Sequence, residues 1–466
     1  MTPLGTEAQP LRVAIVGSGP AGFYVAEKLQ KEGDLSIEID MYDRLPTPFG
    51  LVRFGVAPDH EKIKNVTRVF DKISAKPNFR FFGNVDVGAH VSLAELQQYY
   101  HQICFATGAQ TDRRMGIPGE DLDRSHAATE FVAWYNSHPD YRDCEFDLSS
   151  EVERVAVVGV GNVAVDVARM LCRTREELAS TDIADHALEA ISGSGIKEVY
   201  MLGRRGPVQA AFTNPEVKEL GEMPGADIEV LLEEVTLDAL SQAKLDEGQD
   251  KATLKKLEIL QGFAGRDDHG KRKKLTIRFL VSPVELIGDE DGKVVAMRIV
   301  KNELYESEDG SLRPGATDRY EELPVQLVFR SVGYHGVPLA DLPFDERRGI
   351  VPNEKGRVID CDTDVRVEGV YVSGWIKRGP TGVIGTNKPD AGETVAAMLE
   401  DVAAGAVLDP LHPEPSSVEK LIAERRPEYV SLEDWRRIND LEVSRGKDQG
   451  RPRVKFTSVG EMLADL

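Results

Sequence analysis

The chain has 466 residues, 41% hydrophobic and 29% charged, which is typical of a soluble globular protein with two or three domains. Its formal net charge of −22 argues against nonspecific binding to nucleic acid. No apolar run approaches the roughly 18 residues that a membrane span needs, and residues 1–10 lack the basic and apolar regions of a secretory signal. We therefore expect a cytoplasmic monomer with neither membrane nor nucleic acid as a partner.

The first motif is a glycine turn between a strand and a helix. A buried-strand pattern precedes Gly17, and a helical apolar pattern follows Gly22. Gly17 allows a tight turn, Gly19 lets the backbone approach a pyrophosphate, and Gly22 lets the helix pack closely on the strand. Asp43 stands 21 positions after Gly22, where a carboxylate receives ribose hydroxyls. The stretch predicts a dinucleotide site, with a purely structural turn as the alternative.

Residues 45–60 (LPTPFGLVRFGVAPDH) are too rich in proline and glycine for a regular helix or strand. Because they are also apolar, they predict a packed loop lying over a ligand. The first nucleotide-binding half is then completed by an amphipathic helix (residues 62–74), a strand (79–87), a short helix (93–100) and a last strand (101–108).

The same pattern recurs about 140 residues later, with Gly159, Gly161 and Ala164 in the glycine positions. The next predicted strand, residues 198–202, ends at Arg204 and Arg205 instead of an acid. Guanidinium groups bind phosphate and a carboxylate repels it, so this second site is predicted to prefer NADP over NAD. The first site, with its acid, suits an adenosine ribose as in FAD. An exposed pair of turn arginines is the alternative.

The remaining patterns carry less information. Residues 173–195 predict a helical acidic insertion, and residues 228–300 predict a β-rich region. Residues 323–332 and 369–374 predict two further strands, and residues 375–387 predict a glycine-rich loop that lines a site. A helix is predicted over residues 391–399, and a polar tail with short helices over residues 410–466. The four cysteines (Cys104, Cys144, Cys172 and Cys361) form no CxxC pair, so we expect reduced thiols with no redox-active dithiol, metal site or iron–sulfur ligand set.

Five motifs together resemble the adrenodoxin reductase family of FAD-containing NADPH:ferredoxin reductases. They are GSGPAG, PFGLVRFGVAPDH, GVGNVAVDVAR, GRRGPVQAAFT and GWIKRGPTGVIGTNKPDA, beginning at residues 17, 48, 159, 203 and 374. The resemblance implies an α/β fold with two Rossmann-like domains, the NADP domain inserted into the FAD domain. We expect residues 1–110 and 333–466 to bind FAD and residues 111–332 to bind NADP.

The resemblance also implies site residues and an activity. The positions similar to FAD contacts are Ala21, Asp43, Leu51, Val87, Trp375, Gly382, Val383 and Ile384, and those similar to NADP contacts are Arg113, Asn162, Val163, Ala164, Arg204, Arg205, Glu216 and Gly382. His60 and Glu219 match a pair proposed to relay protons near the flavin, although a structural role is the alternative for each. The implied reaction is hydride transfer from NADPH to FAD, followed by single-electron transfer to an iron–sulfur ferredoxin.

Two positions depart from the family or stay open. Glu61 follows His60 where the family usually has proline, and the arginines that grip an acidic ferredoxin cannot be placed by motif. The only dense basic run is a candidate docking patch, with a solvated hairpin face as the alternative; it comprises Lys271, Arg272, Lys273 and Lys274.

Three rival functions share the double glycine turn. A flavin disulfide reductase needs a dithiol, which the sequence lacks. A reductase subunit of a larger iron–sulfur enzyme usually carries a cysteine-rich segment, and none precedes Arg12. A noncatalytic NADP- and FAD-binding redox sensor stays open, since only a measured activity distinguishes it. The identity of the acceptor, ferredoxin or flavodoxin, and the direction of electron flow are also left open by the sequence.

Overall fold

The computed structural model describes residues 3–248 and 250–466. The chain forms two compact units. The first unit comprises Met1–Thr111, His138–Asp140 and Tyr334–Leu466, and the second comprises Asp112–Ser137 and Tyr141–Gly333. The second unit is thus inserted into the chain of the first, and short paired strands, Thr111–Asp112 and Tyr334–His335, mark the two crossings.

A seven-stranded sheet forms the centre of the first unit. Its strands lie in the spatial order Asn353–Glu354, Arg357–Ile359, Arg366–Val372, Gln102–Phe105, Leu11–Val16, Ile37–Tyr42 and Phe79–Phe82. The last five run parallel, and the first two extend the sheet as an antiparallel edge. The helices of this unit are Pro20–Leu29, Leu51–Phe54, Glu61–Lys64, Thr67–Ser74, Leu93–Leu96, Trp375–Arg378, Asn387–Ala404, Pro415–Arg425, Leu432–Asp448 and Val459–Ala464.

A six-stranded parallel sheet forms the centre of the second unit. Its spatial order is Ser125–Ala127, Leu327–Arg330, Arg154–Val158, Glu198–Leu202, Lys273–Arg278 and Ala226–Val230. A separate antiparallel sheet contains Val281–Gly288, Val294–Glu306 and Leu312–Leu323. The helices are Ala128–Tyr135, Asn162–Cys172, Arg175–Ala179, Asp185–Gly193, Asn214–Leu220, Leu232–Val235, Ala239–Gly248 and Lys251–Ala264, and a short 3-10 helix occupies Pro207–Gln209. Another 3-10 helix, Ile384–Thr386, belongs to the first unit, and a third, Pro139–Tyr141, lies where the chain passes from the first unit to the second.

Both central sheets are covered on two faces, which explains why their first strands are continuous apolar runs. Val13 and Ile15 belong to one core cluster of the first unit, while Ala14 and Val16 belong to the cluster on the opposite face. The strand Arg154–Val158 alternates in the same way between two clusters of the second unit. Successive strand side chains point to opposite faces, so a parallel strand whose two faces are both covered favours apolar residues at successive positions. The predicted α/β class with two Rossmann-like units is confirmed.

Three predicted elements of the first unit differ from the structure. The single helix predicted over residues 62–74 is two helices, and the Thr67 hydroxyl donates to the Lys64 carbonyl (2.9 Å) where the helix is interrupted. The loop over residues 45–60 contains the helical turn Leu51–Phe54. The polar tail contains a long helix, Leu432–Asp448, whose first turn is fixed by a capping box between Ser431 and Asp434.

The β-rich prediction for residues 228–300 was wrong in its middle. Two helices, Ala239–Gly248 and Lys251–Ala264, occupy that part. The second helix begins where the Asp250 carboxylate accepts a hydrogen bond from the Ala252 amide (3.0 Å). Within the described part of the chain, no helix combines the length and apolar character needed to cross a bilayer.

Candidate cofactor-binding sites

The first glycine turn, residues 17–22, has the backbone of a phosphate cradle. Gly17 has a φ of +108°, and a Cβ added there would lie 2.5 Å from the Ala106 carbonyl oxygen. A Cβ on Gly22 would lie 2.1 Å from the Gly17 oxygen, so the helix could not approach the strand with any larger residue. No described atom lies within 4 Å of a Cβ built on Gly19. The turn is therefore rigid at both ends and open where a ligand phosphate approaches the helix N-terminus.

Asp43 lies at the end of the neighbouring strand, with its carboxylate held by three donors. The Ser18 amide (3.0 Å) and the Ser18 hydroxyl donate to Oδ2, and the Leu45 amide donates to Oδ1 (3.0 Å). Burial raises the pKa of the Asp43 carboxyl, and the bonds from Ser18 and Leu45 oppose that shift. A carboxylate offers about four acceptor positions, so capacity is left for a ribose hydroxyl.

The loop of residues 45–60 packs on the first glycine turn. The Phe49 amide donates to the Ser18 carbonyl (2.9 Å), and a Cβ on Gly50 would lie 3.0 Å from Gly19 Cα. Phe49 itself has a φ of +87°, in the left-handed region that is unusual for a residue with a side chain. The loop is therefore held in a specific conformation against the cradle.

The C-terminal tail anchors this loop through contacts that no sequence motif predicts. The buried Arg53 guanidinium donates to Glu442 Oε1 (2.5 Å) and lies over the Trp435 ring, 5.2 Å from its centre. Glu442 is fully buried and also accepts from the Phe456 amide (2.9 Å), while Lys455 Nζ donates to the Arg53 carbonyl (3.1 Å). An isolated charge in a polar tail gives no sequence signal of such a partner.

The segment after the last parallel strand returns to the same glycine turn. Gly374 has a φ of +80°, and a Cβ added to it would lie 2.5 Å from Ala21 Cβ. Asp390 organises this return, since its Oδ2 accepts from the Gly374 amide (2.6 Å) and the Ser373 hydroxyl (3.2 Å). Lys377 Nζ lies 3.3 Å from Asp390 Oδ1 and balances its charge. Asp390 lies within the motif that begins at Gly374, but no sequence pattern predicts its role.

The other predicted FAD positions occupy this unit as follows. Trp375 Nε1 donates to the Thr381 carbonyl (3.1 Å), and its ring centre lies 5.1 Å from that of Tyr334. The return segment then runs exposed through the predicted positions, with Gly382 in the left-handed region at a φ of +81°. Trp375 is half-buried, and the other exposed or half-buried members of the set are Leu51, Val87, Gly382, Val383 and Ile384.

These features fit FAD. An open Gly19 beside a helix start accepts a pyrophosphate, Asp43 accepts ribose hydroxyls, and two glycine-containing loops bring backbone to the same turn. The roles of the individual residues stay predictions.

The second glycine turn, residues 159–164, repeats the design. Gly159 has a φ of +137°, and a Cβ there would lie 2.2 Å from the Ser331 carbonyl oxygen. No described atom lies within 4 Å of a Cβ on Gly161, which precedes the helix Asn162–Cys172. A Cβ on Gly203 would lie 2.9 Å from Val160 Cγ1. The turn of residues 203–206, which we call the arginine turn, thus packs on the second glycine turn.

Arg204 is exposed and Arg205 is half-buried. Among the described residues, neither guanidinium has a carboxylate within 4.0 Å. Burial lowers the pKa of Arg205, and the nearby charges of Arg204 and Arg313 lower it further. Two adjacent cations without an acid beside a phosphate cradle fit the 2′-phosphate of NADP(H), because that group supplies the missing negative charge.

The remaining predicted NADP positions of the second unit have distinct surroundings. Asn162 Oδ1 accepts from the Thr213 amide (2.9 Å), which joins the glycine turn to the helix Asn214–Leu220. In that helix Glu216 is buried and accepts from Arg169 Nη1 (3.2 Å). Arg113 is exposed, and its amide donates to the Gly333 carbonyl (2.9 Å). Val163 is half-buried and Ala164 fully buried at the start of the first helix.

The predicted proton-relay residues lie in different units, His60 in the first and Glu219 in the second. His60 is largely buried and immediately precedes the helix Glu61–Lys64. Glu61, which departs from the family pattern, places an acid in the first turn of that helix, where the helix dipole favours it. The relay stays a prediction.

The basic run differs from the exposed patch that the sequence indicated. Lys273 is buried and donates to the Leu171 carbonyl (2.5 Å), Lys271 Nζ donates to the carbonyls of Met223 and Ala226, and Lys274 pairs with Glu229 (2.9 Å). Three of its four charges are therefore engaged within the second unit, which leaves the exposed Arg272 for a partner. The four cysteines are free, and Cys104 and Cys172 are buried, as expected for reduced thiols.

Comparison with known proteins agrees with these motifs. Residues 11–234 match the model of the pyridine nucleotide-disulphide oxidoreductase family. The chain is 44% identical to NADPH-ferredoxin reductase FprA of Mycobacterium tuberculosis over 98% of this chain and 99% of that one. It is 40% identical to the mitochondrial NADPH:adrenodoxin oxidoreductase of Salvelinus fontinalis, over 98% of this chain and 91% of that protein.

A solved structure of Mycobacterium tuberculosis FprA in complex with NADPH superposes with a TM-score of 0.91, at 44% identity, over 98% of this chain and 99% of that chain. Identity at this level over the full length of both chains defines a family. The chain belongs to the family of the NADPH-ferredoxin reductases and NADPH:adrenodoxin oxidoreductases, as its five motifs predicted.

Proposed function

We propose that the chain is an FAD-dependent NADPH:ferredoxin oxidoreductase. The observation that carries the proposal is the pair of glycine turns with opposite charge beside them. Asp43 stands beside the first turn, while Arg204 and Arg205 stand beside the second with no acid partner among the described residues. The names of the full-length relatives, NADPH-ferredoxin reductase and NADPH:adrenodoxin oxidoreductase, support the same activity.

The first unit is proposed to hold FAD and the second to bind NADP(H). In the first unit Gly17, Gly19 and Gly22 form the pyrophosphate cradle and Asp43 binds the adenosine ribose. The remaining proposed contacts are Ala21, Leu51, Val87, Trp375, Gly382, Val383 and Ile384. In the second unit the proposed contacts are Arg113, Asn162, Val163, Ala164, Arg204, Arg205 and Glu216, with Gly382 supplied by the first.

The protein residues bind and orient, while the cofactor supplies the redox chemistry. The chemistry that FAD would supply when bound is acceptance of two electrons as hydride from NADPH and their release one at a time to an iron–sulfur protein. Arg204 and Arg205 select NADPH by its phosphate. Because Gly382 has no side chain, it would leave space for the nicotinamide ring of NADPH to stack on the isoalloxazine ring of FAD.

His60 is proposed to exchange a proton near the flavin, with Glu219 as its partner. Replacement by glutamine at either position should change the pH dependence of NADPH oxidation while flavin content stays normal. An unchanged pH profile in both variants would leave these residues structural.

The proposed acceptor is a ferredoxin. From the predicted basic run, we assign Arg272 alone to the surface that docks ferredoxin. The other three members are engaged, since Lys271 and Lys273 donate to carbonyls and Lys274 pairs with Glu229. Substitution of Arg272 by glutamine should raise the KM for ferredoxin about two-fold, as expected for one exposed charge. A cytoplasmic location and a monomeric state stay predictions.

The proposed function is tested on the purified protein. Flavin absorption near ~380 and ~450 nm is expected, together with NADPH-dependent reduction of cytochrome c that requires added ferredoxin. A colourless protein would exclude both flavoprotein functions, the reductase and the flavin-containing sensor. A flavoprotein that fails to oxidise NADPH whichever ferredoxin or flavodoxin from the same cell is supplied would instead favour the redox sensor. Activity only within a larger iron–sulfur assembly would favour the subunit alternative.

A further inference from the structure

A long hairpin of the second unit is tied to the arginine turn. Its strands are Val294–Glu306 and Leu312–Leu323. The buried Asn302 donates through Nδ2 to the Arg204 carbonyl (2.9 Å). Its amide donates to the Leu280 carbonyl (2.7 Å), and the Leu280 amide donates to the Arg205 carbonyl (3.1 Å). Three hydrogen bonds thus fix this part of the hairpin relative to both arginines.

The hairpin continues beyond Asn302 alongside the arginine turn. Leu304 Cδ1 lies 4.0 Å from the position that a Cβ on Gly206 would occupy. Tyr305, the next residue, pairs across the hairpin with Arg313. The charge of Arg313 acts on Arg205, whose pKa it helps to lower after burial and Arg204. The register of the hairpin therefore brings Arg313 close enough to the arginine turn for its charge to act on Arg205, although 108 positions separate the two residues in the sequence.

The guanidinium of Arg313 has an orientation set by the hairpin tip. Its Nη2 donates to Asp309 Oδ2 (2.9 Å), and its Nε lies within hydrogen-bond distance of the Ser307 (3.2 Å) and Ser311 (3.3 Å) hydroxyls. The described residues provide no acceptor for Nη1. The side chain is 55% exposed, so a ligand can reach it. Arg313 thus shares its charge with Asp309, whereas Arg204 and Arg205 have no carboxylate within 4.0 Å among the described residues.

We propose that Arg313 is a third cation of the site that recognises the 2′-phosphate of NADP(H), and that the hairpin thereby contributes to NADPH preference. This inference rests on the proposed function, in which Arg204 and Arg205 bind that phosphate. A phosphate that carries close to two negative charges is stabilised by each additional cation held near it. Because Arg313 is exposed and shared with Asp309, its contribution is smaller than that of Arg204 or Arg205.

The test compares Arg313→Gln with Arg319→Gln in the holoenzyme. Arg319 lies on the same strand, is similarly exposed, and pairs with Glu303 (3.1 Å), so its loss removes an equal charge from a position that is not among those acting on Arg205. Calorimetric titration with 2′,5′-ADP should give about three- to five-fold weaker binding for Arg313→Gln, and little change for Arg319→Gln. Binding of 5′-AMP, which lacks the 2′-phosphate, should be equal in all three proteins. Arg313→Lys should recover part of the loss.

Kinetics with ferricyanide as acceptor give a second readout that needs no ferredoxin. The KM for NADPH should rise in Arg313→Gln, while the KM for NADH and kcat stay unchanged. Equal 2′,5′-ADP affinity in Arg313→Gln and the parent protein overturns the inference, and so does an equal loss for 5′-AMP. If the double variant Arg204→Ala/Arg205→Ala also keeps full 2′,5′-ADP affinity, the proposed phosphate site itself fails. If only Arg313→Gln is neutral, the failure is confined to the hairpin.

Discussion

The two glycine turns share one backbone design, but different structures surround them. A loop packs on the first turn, with Phe49 bonded to Ser18 and Gly50 close to Gly19. The C-terminal tail then fixes that loop through the buried pair of Arg53 and Glu442. A segment also packs on the second turn, since the amides of Ala211 (2.9 Å) and Phe212 (3.1 Å) donate to the Val160 carbonyl, but the two arginines beside that turn are exposed or half-buried. These differences match a cofactor that stays bound and a cofactor that exchanges in every turnover.

The two turns also differ in the charge beside them, a carboxylate at the first turn and two guanidiniums at the second. Asp43 is satisfied by donors from its own unit, and burial raises its pKa. Arg204 and Arg205 have no carboxylate partner among the described residues, although the protein carries a net charge of −22. Acidic groups are abundant elsewhere in the sequence, so the absence of one here keeps both arginines available for an anion.

The largest expected effect concerns Gly22, the third small residue of the first turn, and Ala164 at the same place in the second turn gives the comparison. Gly22→Ala would place a Cβ 2.1 Å from the Gly17 oxygen, a backbone atom that cannot move aside as the end of a side chain could. We expect loss of bound flavin and a drop of more than about 3 kcal/mol in the free energy of unfolding, measured by absorbance and urea denaturation. The second turn already has alanine at this position, and Ala164→Gly should cost about 1 kcal/mol, the usual penalty for glycine in a helix. Normal flavin content in Gly22→Ala would contradict the close-packing argument.

The next effect concerns the tail that anchors the loop of residues 45–60. Glu442→Leu leaves the buried Arg53 guanidinium without its carboxylate, which should cost about 3–5 kcal/mol in unfolding free energy. Flavin should be released on dilution and ultrafiltration, while the affinity for 2′,5′-ADP stays unchanged because the tail belongs to the first unit. Arg437→Gln, an exposed change on the same helix, is the control and should cost less than about 1 kcal/mol. Loss of 2′,5′-ADP binding in Glu442→Leu would show that the tail does not serve the first site alone.

The third effect removes the charge that distinguishes the second turn. Arg204→Ala/Arg205→Ala should lower kcat/KM for NADPH about 100-fold and leave NADH almost unaffected, because each charged hydrogen bond is worth about 1.5–3 kcal/mol. Steady-state kinetics with ferricyanide measure both values. Arg347 and Arg348 form another exposed adjacent pair, in the first unit, and their double alanine variant is the matched control. Equal losses with NADPH and NADH would refute the phosphate assignment.

The sequence predicted the parts of these sites that depend on short-range patterns. A buried strand, a glycine turn and a helix follow one another within about a dozen residues, so the first turn was found with Asp43 at the end of the next strand. The arginine turn was found in the same way. The role of Glu442 was not predicted because its partner, Arg53, lies hundreds of residues away. The role of Arg313 was not predicted because it depends on the register of a hairpin, which no local pattern indicates. The helix Lys251–Ala264 was missed although Asp250 provides a capping signal.

The smallest effect concerns Asp43, the charge that distinguishes the first turn. Asp43→Asn replaces one acceptor oxygen by a donor and should weaken FAD binding to the apoprotein about ten-fold, measured by fluorescence titration. Burial raises the pKa of this carboxyl, so protonation should begin at a higher pH than for an ordinary aspartate. A ribose hydroxyl favours the ionised acceptor, and the FAD affinity of the parent protein should therefore fall as the pH decreases from about 7 to about 4. The asparagine variant should bind more weakly at neutral pH but lose less affinity over that range. Parallel pH profiles for the two proteins would mean that another group governs acid release of the flavin.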